Sequence, residues 1–154
     1  MKNWLNKLVF NLWPCYWGSG GRITFIADDY SEIRVKIPLS WRTKNYVGTI
    51  YGGSMYGAID PVYMLMLLKR LGEKEYIVWD KAADIRFLKP GKQNLFAQLI
   101  IDDKEVATVK ALLQEQRSID RVYTVQLKDK DGVVCAEVDK TLYIRKKQLK
   151  SQAN

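Results

Sequence analysis

The chain reads as an α+β domain in which one curved, mostly antiparallel sheet of about six strands wraps around one long central helix. Three observations predict this. From Met55 to Leu68 the sequence is apolar on every face of a helical wheel, apart from Gly57, Asp60 and Pro61, and a helix that is apolar all round has to be buried. Segments alternating in period two lie on both sides of it and supply strands to cover it. The length of 154 residues, 47% of them apolar, fits one domain with a sizeable core, so residues 1–154 read as a single domain.

The central stretch is not a membrane span. A span needs about 20 uninterrupted apolar residues, whereas this run carries Asp60 and Pro61 and ends in Lys69 and Arg70. It is expected to be a core helix from Gly52 to Leu71, with Gly72 as its C-terminal cap.

Residues 1–17 predict an amphipathic helix. Trp4, Leu5, Leu8, Val9, Leu12 and Trp13 recur at helical spacing, and Pro14 stops it. Asn11 breaks the apolar run and no small-x-small cleavage site follows, so a helix packed on the domain is expected rather than a signal peptide. Its tryptophans also allow a membrane-surface helix or a lid over an apolar pocket. The glycines from Gly18 to Gly21 read as a turn, since they lack the Lys-Ser/Thr of a phosphate loop.

Ile23 to Ala27 and Ile33 to Ile37 read as a hairpin around Asp28-Asp29-Tyr30-Ser31, with Arg34 and Lys36 on a wet face. Pro38 ends the second strand, and Leu39 to Ile50 connects to the central helix. Beyond that helix, Tyr76 to Leu88 is a long strand closed by Lys89-Pro90-Gly91. Leu95 to Ile101 is a strand apolar on both faces, which predicts a covered centre. Asp103 to Gln116 changes to helical spacing behind an Asp cap. Val122 to Leu127 and Val133 to Ile144 are strands joined by a turn whose Asp-Gly pair is a strong hairpin signal. In the last of them Val134, Ala136, Val138, Leu142 and Ile144 line one face, and a basic tail, residues 145–154, follows.

Composition excludes several chemistries. The chain has no histidine, which removes Ser-His-Asp and Cys-His nucleophile arrangements, HExxH metalloproteases, most zinc sites and any histidine base. No metal and no cofactor is expected. Cys15 and Cys135 lie far apart without metal-site spacing, consistent with incidental thiols in a reduced, cytoplasmic compartment. A net charge of +8 suits an anionic partner, whether nucleic acid, membrane or phosphorylated small molecule, and equally a merely soluble basic surface.

The residues from Asn45 to Asp60, NYVGTIYGGSMYGAID, resemble the signature of hot-dog-fold acyl-CoA thioesterases of the phenylacetate-pathway type. In that family an Asn, a His-Gly-Gly and an Asp introduce the central helix, and Asn45, Gly52, Gly53 and Asp60 fall in register. The stretch from Ile85 to Gly91, IRFLKPG, resembles the strand ending in Arg/Lys-Pro that follows the helix there. The chain is more similar still to an uncharacterised, thioesterase-like branch of that superfamily. Two departures are visible: Tyr51 replaces the family His, and Pro61 follows the Asp. The missing histidine sets aside the hot-dog hydratases and dehydratases.

What the resemblance implies is a hot-dog thioesterase acting on an acyl-CoA or related thioester. The site would form at the interface of a homodimer, which could assemble further into a dimer of dimers. Asp60 would act as base or nucleophile, the Gly53 N–H as oxyanion donor and Asn45 as orienter, with Gly52, Tyr51, Tyr56, Arg86 and Lys89 contacting substrate. A carboxylate in an apolar wall is expected to gain basicity, and N–H groups at a helix start can polarise a carbonyl.

Bland roles stand beside these. Asp60 can be an N-cap with Pro61 at the first helical position, and Asn45 can serve its own turn. The tyrosines can be core, and Arg86 and Lys89 a solvated rim. A non-catalytic hot-dog module binding an acyl chain or acyl-CoA is the second reading. A basic binding protein for nucleic acid or anionic membrane is the third; nucleic acid is the less expected partner, and peripheral membrane contact stays open.

Overall fold

The computed structural model describes residues 3–148. In chain order the elements are α1 (Asn3–Leu12), α2 (Pro14–Ser19), β1 (Arg22–Ile26), β2 (Glu32–Ile37), α3 (Gly52–Ile59), α4 (Val62–Leu71), β3 (Tyr76–Phe87), β4 (Leu95–Ile100), α5 (Asp103–Glu115), β5 (Ser118–Lys128) and β6 (Val134–Lys146). The six strands form one antiparallel sheet in the order β1-β2-β4-β5-β6-β3. This is the hot-dog arrangement, with α3 and α4 as its filling. Among the described residues no helix is long and apolar enough to cross a membrane.

Period-two patterning sets the inner face of the sheet. Ile33, Val35 and Ile37 of β2 are buried, while Arg34 and Lys36 turn outward. On β6 Ala136, Val138, Leu142 and Ile144 are fully buried against the helix. Ala58, Ile59, Val62, Met66 and Leu67 meet them from the helical side without exposure. At roughly 1.5–3 kcal/mol for each large apolar side chain, this contact surface is the main source of stability.

The central helix is continuous in direction but interrupted in hydrogen bonding. Pro61 has no N–H, which divides the run into α3 and α4, although Asp60 (φ −45°, ψ −53°) and Pro61 (φ −82°, ψ −7°) both keep right-handed helical backbone. The Asp60 N–H still donates to Tyr56 O, and the Leu65 N–H to Pro61 O. The N-cap alternative for Asp60 is thereby corrected: its backbone is helical, not extended, and its side chain makes no cap bond.

Other expectations are adjusted. Pro14 ends α1 but also opens α2, as its fixed φ permits. The N-terminal helical segment thus extends to Ser19, and Gly20 closes it in the left-handed region at φ 81°. Arg145 and Lys146, placed in a basic tail, are the last residues of β6, and residues 149–154 lie outside the described chain. The covered centre expected for β4 is not found within one chain, since Phe96 and Ile100 are exposed on the outer face. Only one face of the sheet carries the central helix. On the open face Arg34 lies 4.9 Å from the Phe25 ring and Lys36 lies 5.8 Å from the Phe96 ring. In α5 the Asp102 cap accepts the Glu105 N–H at 2.7 Å, as its pattern predicts.

Candidate functional site

The interruption in the helix places Asp60 opposite a residue that the periodicity argument passed over. Lys140 occupies the inward register of β6, between Val138 and Leu142, and is fully buried. Its Nζ lies 2.5 Å from Asp60 Oδ1, 3.1 Å from the Tyr56 hydroxyl and 2.9 Å from Asp80 Oδ1 of β3. The Tyr56 hydroxyl donates to the same Asp60 oxygen at 2.5 Å. Both contacts fall on Oδ1, which leaves Oδ2 free among the described residues. The Asp60 side chain is 41% exposed, so one edge of the cluster is open. The register between two buried apolar residues was the signal for Lys140; charged residues are almost never fully buried unless paired.

Electrostatics in the cluster differ from the expectation of a lone carboxylate in an apolar wall. Burial alone pushes Asp60 upward, but the Lys140 ammonium and the Tyr56 hydroxyl outweigh it and hold the carboxyl below the usual range. The expected gain in basicity is thus corrected by a cation that the apolar run did not reveal. Asp80 goes the other way, raised by burial against the partial pull of Lys140. The Tyr56 hydroxyl is raised by burial and by its bond to Asp60. Lys140 is held strongly protonated, its three polar neighbours overcoming the cost of burial.

The other candidate residues gather at the start of α3. Ser54 and Met55 N–H both bond Tyr51 O, so the N–H groups of Gly52 and Gly53 are the ones left without an intrahelical acceptor. Asn45, Gly52 and Lys89 line one cleft of about 410 Å³ with Thr49, Phe87 and Pro90. At both glycines the rings of exposed aromatic residues pack close to the backbone. A Cβ on Gly52 would stand 2.8 Å from the Phe87 ring, and one on Gly53 would stand 2.3 Å from the ring of Tyr51.

Asn45 lines the cleft, but its side chain is engaged in its own turn. Its Oδ1 accepts the Val47 and Thr49 N–H groups, and its Nδ2 donates to the Thr49 hydroxyl at 2.9 Å. Arg86 lies outside this cleft, bonded to Asp84, Glu137 and Asp139 at 2.7–2.9 Å. Asp60 and Gly53 are seven positions apart in the sequence, about 10 Å along a helix axis. One chain does not bring them to a single carbonyl.

A second cavity, of about 260 Å³, lies between the N-terminal helices and α4, with Phe10, Trp13, Tyr16, Pro61, Met64 and Leu65 among its walls. Tyr16 donates from its hydroxyl to Ala58 O at 3.1 Å, tying α2 to the central helix. Among the described residues no three carboxylate or thiol side chains come together in a way that would hold a metal ion.

Comparison with solved structures finds the same fold. A Pseudomonas aeruginosa protein of unknown function, described as a probable thioesterase, superposes with a TM-score of 0.85 at 18% identity, over 96% of this chain and 97% of that one. A Haemophilus influenzae thioesterase matches at 0.67 and 16% identity, over 96% and 92% of the two chains. A Chlorobaculum tepidum protein of unknown function matches at 0.72 and 15%, over 94% of each. At these identities the likeness is one of fold. No curated protein matches the sequence. The profile of one family, a domain of unknown function designated DUF4442, matches residues 2–144, and the chain belongs to that family.

Proposed function

We propose that the protein is a thioester hydrolase that works as a homodimer on an acyl-CoA or a related acyl thioester, with Asp60 as its reacting carboxylate. One observation carries this reading. At the interruption of a hot-dog central helix, an ionised carboxylate is held by a buried ammonium on one oxygen and left open on the other. The structural relatives described as thioesterases support it at the level of fold.

With one oxygen held by Lys140 and Tyr56 and the other open, the Asp60 carboxylate is placed to attack the thioester itself. In that scheme the free carboxylate oxygen adds to the thioester carbonyl carbon. The oxyanion accepts from the free Gly53 N–H of a second chain, and collapse breaks the C–S bond and releases the thiolate. Water then hydrolyses the acyl-aspartyl anhydride, returning the carboxylate and a free acid. Gly52 lets the carbonyl approach, Lys89 stands at the wall of the cleft, and Tyr51, exposed and outside the cleft lining, meets only a longer substrate. Tyr56 positions Asp60. Arg86, already matched by three carboxylates, is the weakest of the proposed substrate contacts.

The dimer is proposed through β3, an edge strand whose outer half is exposed and carries Trp79 and Phe87. Outer-face Phe25, Phe96, Ile100 and Val122 offer a surface for a dimer of dimers.

A second reading is favoured by the apolar cavity beneath the N-terminal helices. There the protein binds an acyl chain without turnover, and Asp60 is a structural ion-pair partner. Thiol release from short, long and aromatic acyl-CoAs, compared between wild type and Asp60→Asn, separates the two. Turnover lost in a variant that keeps its fold and assembly supports the hydrolase. No turnover by well-folded wild type moves the function to the binding module.

A further inference from the structure

Helix α1 docks with the opposite polarity to an ordinary amphipathic helix. Its asparagines hold it to the body of the protein. Asn3 donates to Ala27 O at 2.8 Å and Asn6 to the Tyr30 hydroxyl at 2.7 Å. Asn11 both donates to Ile23 O and accepts the Ile23 N–H, at 2.9 and 2.8 Å, completing the ladder of edge strand β1. Phe10 alone of its large apolar residues turns toward the core, and the others are left outside: Trp4, Leu5, Leu8, Val9, Leu12 and, just beyond the helix, Trp13 are 44–63% exposed.

The patch continues across α2 into the turn from Ser40 to Thr43. The Arg42 guanidinium lies 3.8 Å from the Trp17 ring and also bonds Trp17 O, and Trp41 beside it is 85% exposed. Four of the five tryptophans, Trp4, Trp13, Trp17 and Trp41, thus stand on two adjoining segments. Neither segment carries an acid. Residues 3–27 include Arg22 and Lys7, the latter half-buried at the flank of α1 with its ammonium 3.4 Å from Thr24 O, residues 38–59 include Arg42 and Lys44, and no Asp or Glu occurs in either range. The acids bordering the patch are at the N-terminal end of α1, where Asp28 bonds Asn3 and Asp29 bonds Arg70.

A contiguous exposed apolar patch of this kind marks an interaction surface, and charge selects its occupant. A second copy would bring an identical basic, acid-free face against this one, and like charges across an interface oppose association. The edge proposed for dimerisation, β3, is at the far side of the sheet from β1, so pairing there leaves α1 uncovered. An anionic bilayer meets both properties. Indole rings favour the headgroup level, and a helix with an apolar face sinks that face to the acyl boundary while basic side chains meet the lipid charge.

We infer that the face made by α1, α2 and the Ser40–Thr43 turn is a membrane-docking surface that lies on anionic phospholipid. The inference is independent of the hydrolase reading, because its measurement is binding and not turnover.

Co-sedimentation of the full chain tests it, with vesicles of phosphatidylcholine alone and of equal parts phosphatidylcholine and phosphatidylserine. Binding to the anionic vesicles is expected to be stronger by roughly tenfold or more, since each basic side chain near such a surface contributes about fivefold, and to weaken with added salt. The variant Trp4→Ser/Leu8→Ser/Leu12→Ser alters only exposed side chains. It should bind at least about tenfold less while unfolding at the wild-type urea concentration. A second variant, Lys7→Gln/Arg42→Gln, should keep the fold and lose most of the preference for phosphatidylserine. Absence of wild-type binding to anionic vesicles at low salt overturns the inference, as does a triple-serine variant that binds like wild type. A wild-type assembly that shrinks in the triple variant, with no vesicle binding, overturns it in favour of a second copy.

Discussion

Lys140 Nζ, fully buried on the inner face of β6, stands 2.5 Å from Asp60 Oδ1 at the break between α3 and α4. The pair joins the sheet to the helix at the point where the helix lacks a backbone hydrogen bond. Replacing Lys140 with Met removes the cation and leaves Asp60 and Asp80 facing each other without it. Breaking a fully buried pair costs about 3–5 kcal/mol. The partial exposure of both carboxylates, 41% and 25%, reduces the expectation to about 1–3 kcal/mol for Lys140→Met in urea unfolding. Asp60→Asn should cost less, because Asp80 still faces the ammonium. The Asp60→Asn/Lys140→Met double variant should fall short of the summed losses by about 0.5 kcal/mol or more; strict additivity would mean that the two side chains do not interact.

The same cluster sets the pH dependence of stability. Asp60 is held below its ordinary value of 3.8. Its contribution is present above that value and is lost as the pH falls through the folded-state value. Asp80 is raised above 3.8, so it withdraws stability as the pH climbs from that value through its own. Lys140 is raised above 10.5, and its contribution is present below that value and lost as the pH rises through the folded-state one. Urea midpoints across pH should fall in strong acid and again in strong alkali. Asp60→Asn should show a shallower acid limb and Lys140→Met a shallower alkaline one. Unchanged limbs in both variants would place the titrating groups elsewhere.

If Asp60 attacks the thioester directly, a covalent acyl-aspartyl species precedes the free acid. In a single turnover with enzyme in excess, quenching with borohydride should reduce that anhydride and convert Asp60 to homoserine, detectable by mass spectrometry of its peptide. An unmodified peptide from an enzyme that Asp60→Asn inactivates would assign Asp60 to activating water instead. The open second oxygen of Asp60, beside one fixed by Lys140 and Tyr56, makes the covalent outcome the expected one.

Much of this was legible in the sequence, and the gaps have physical reasons. Alternating Ile33, Val35 and Ile37 and the all-apolar run from Met55 reported their own burial, because local period and burial are tied. The order of strands was not legible, since it depends on long-range pairing that no local pattern encodes. The alternation of β6 puts Lys140 in the inward register between Val138 and Leu142, but what makes a buried lysine tolerable is its partners, and Asp60 and Asp80 lie far from it in sequence. The amphipathicity of α1 was plain but not its orientation. Three asparagines decide which side docks, Asn11 by bonding the edge of β1 and Asn3 and Asn6 by bonding Ala27 and Tyr30 of the turn that follows it, and hydrophobic patterning assigns that choice to the other face.

The distance between Gly53 and Asp60 along one helix makes the hydrolase reading depend on assembly. β3 is an edge strand of 12 residues, paired with β6 on one side only, with Trp79 at 66% and Phe87 at 57% exposure, and a long edge carrying exposed aromatics is a site for association. Sedimentation equilibrium is expected to give a dimer for the wild type. Trp79→Glu should yield a folded monomer, because a two-fold interface presents the new carboxylate twice and desolvates it against apolar neighbours. In that monomer thioester hydrolysis should fall by about 100-fold or more, the scale of a lost oxyanion donor, although Asp60 and its partners are untouched. A variant that stays dimeric would move the interface away from β3. A monomer with full activity would mean that one chain supplies both the carboxylate and the oxyanion donors.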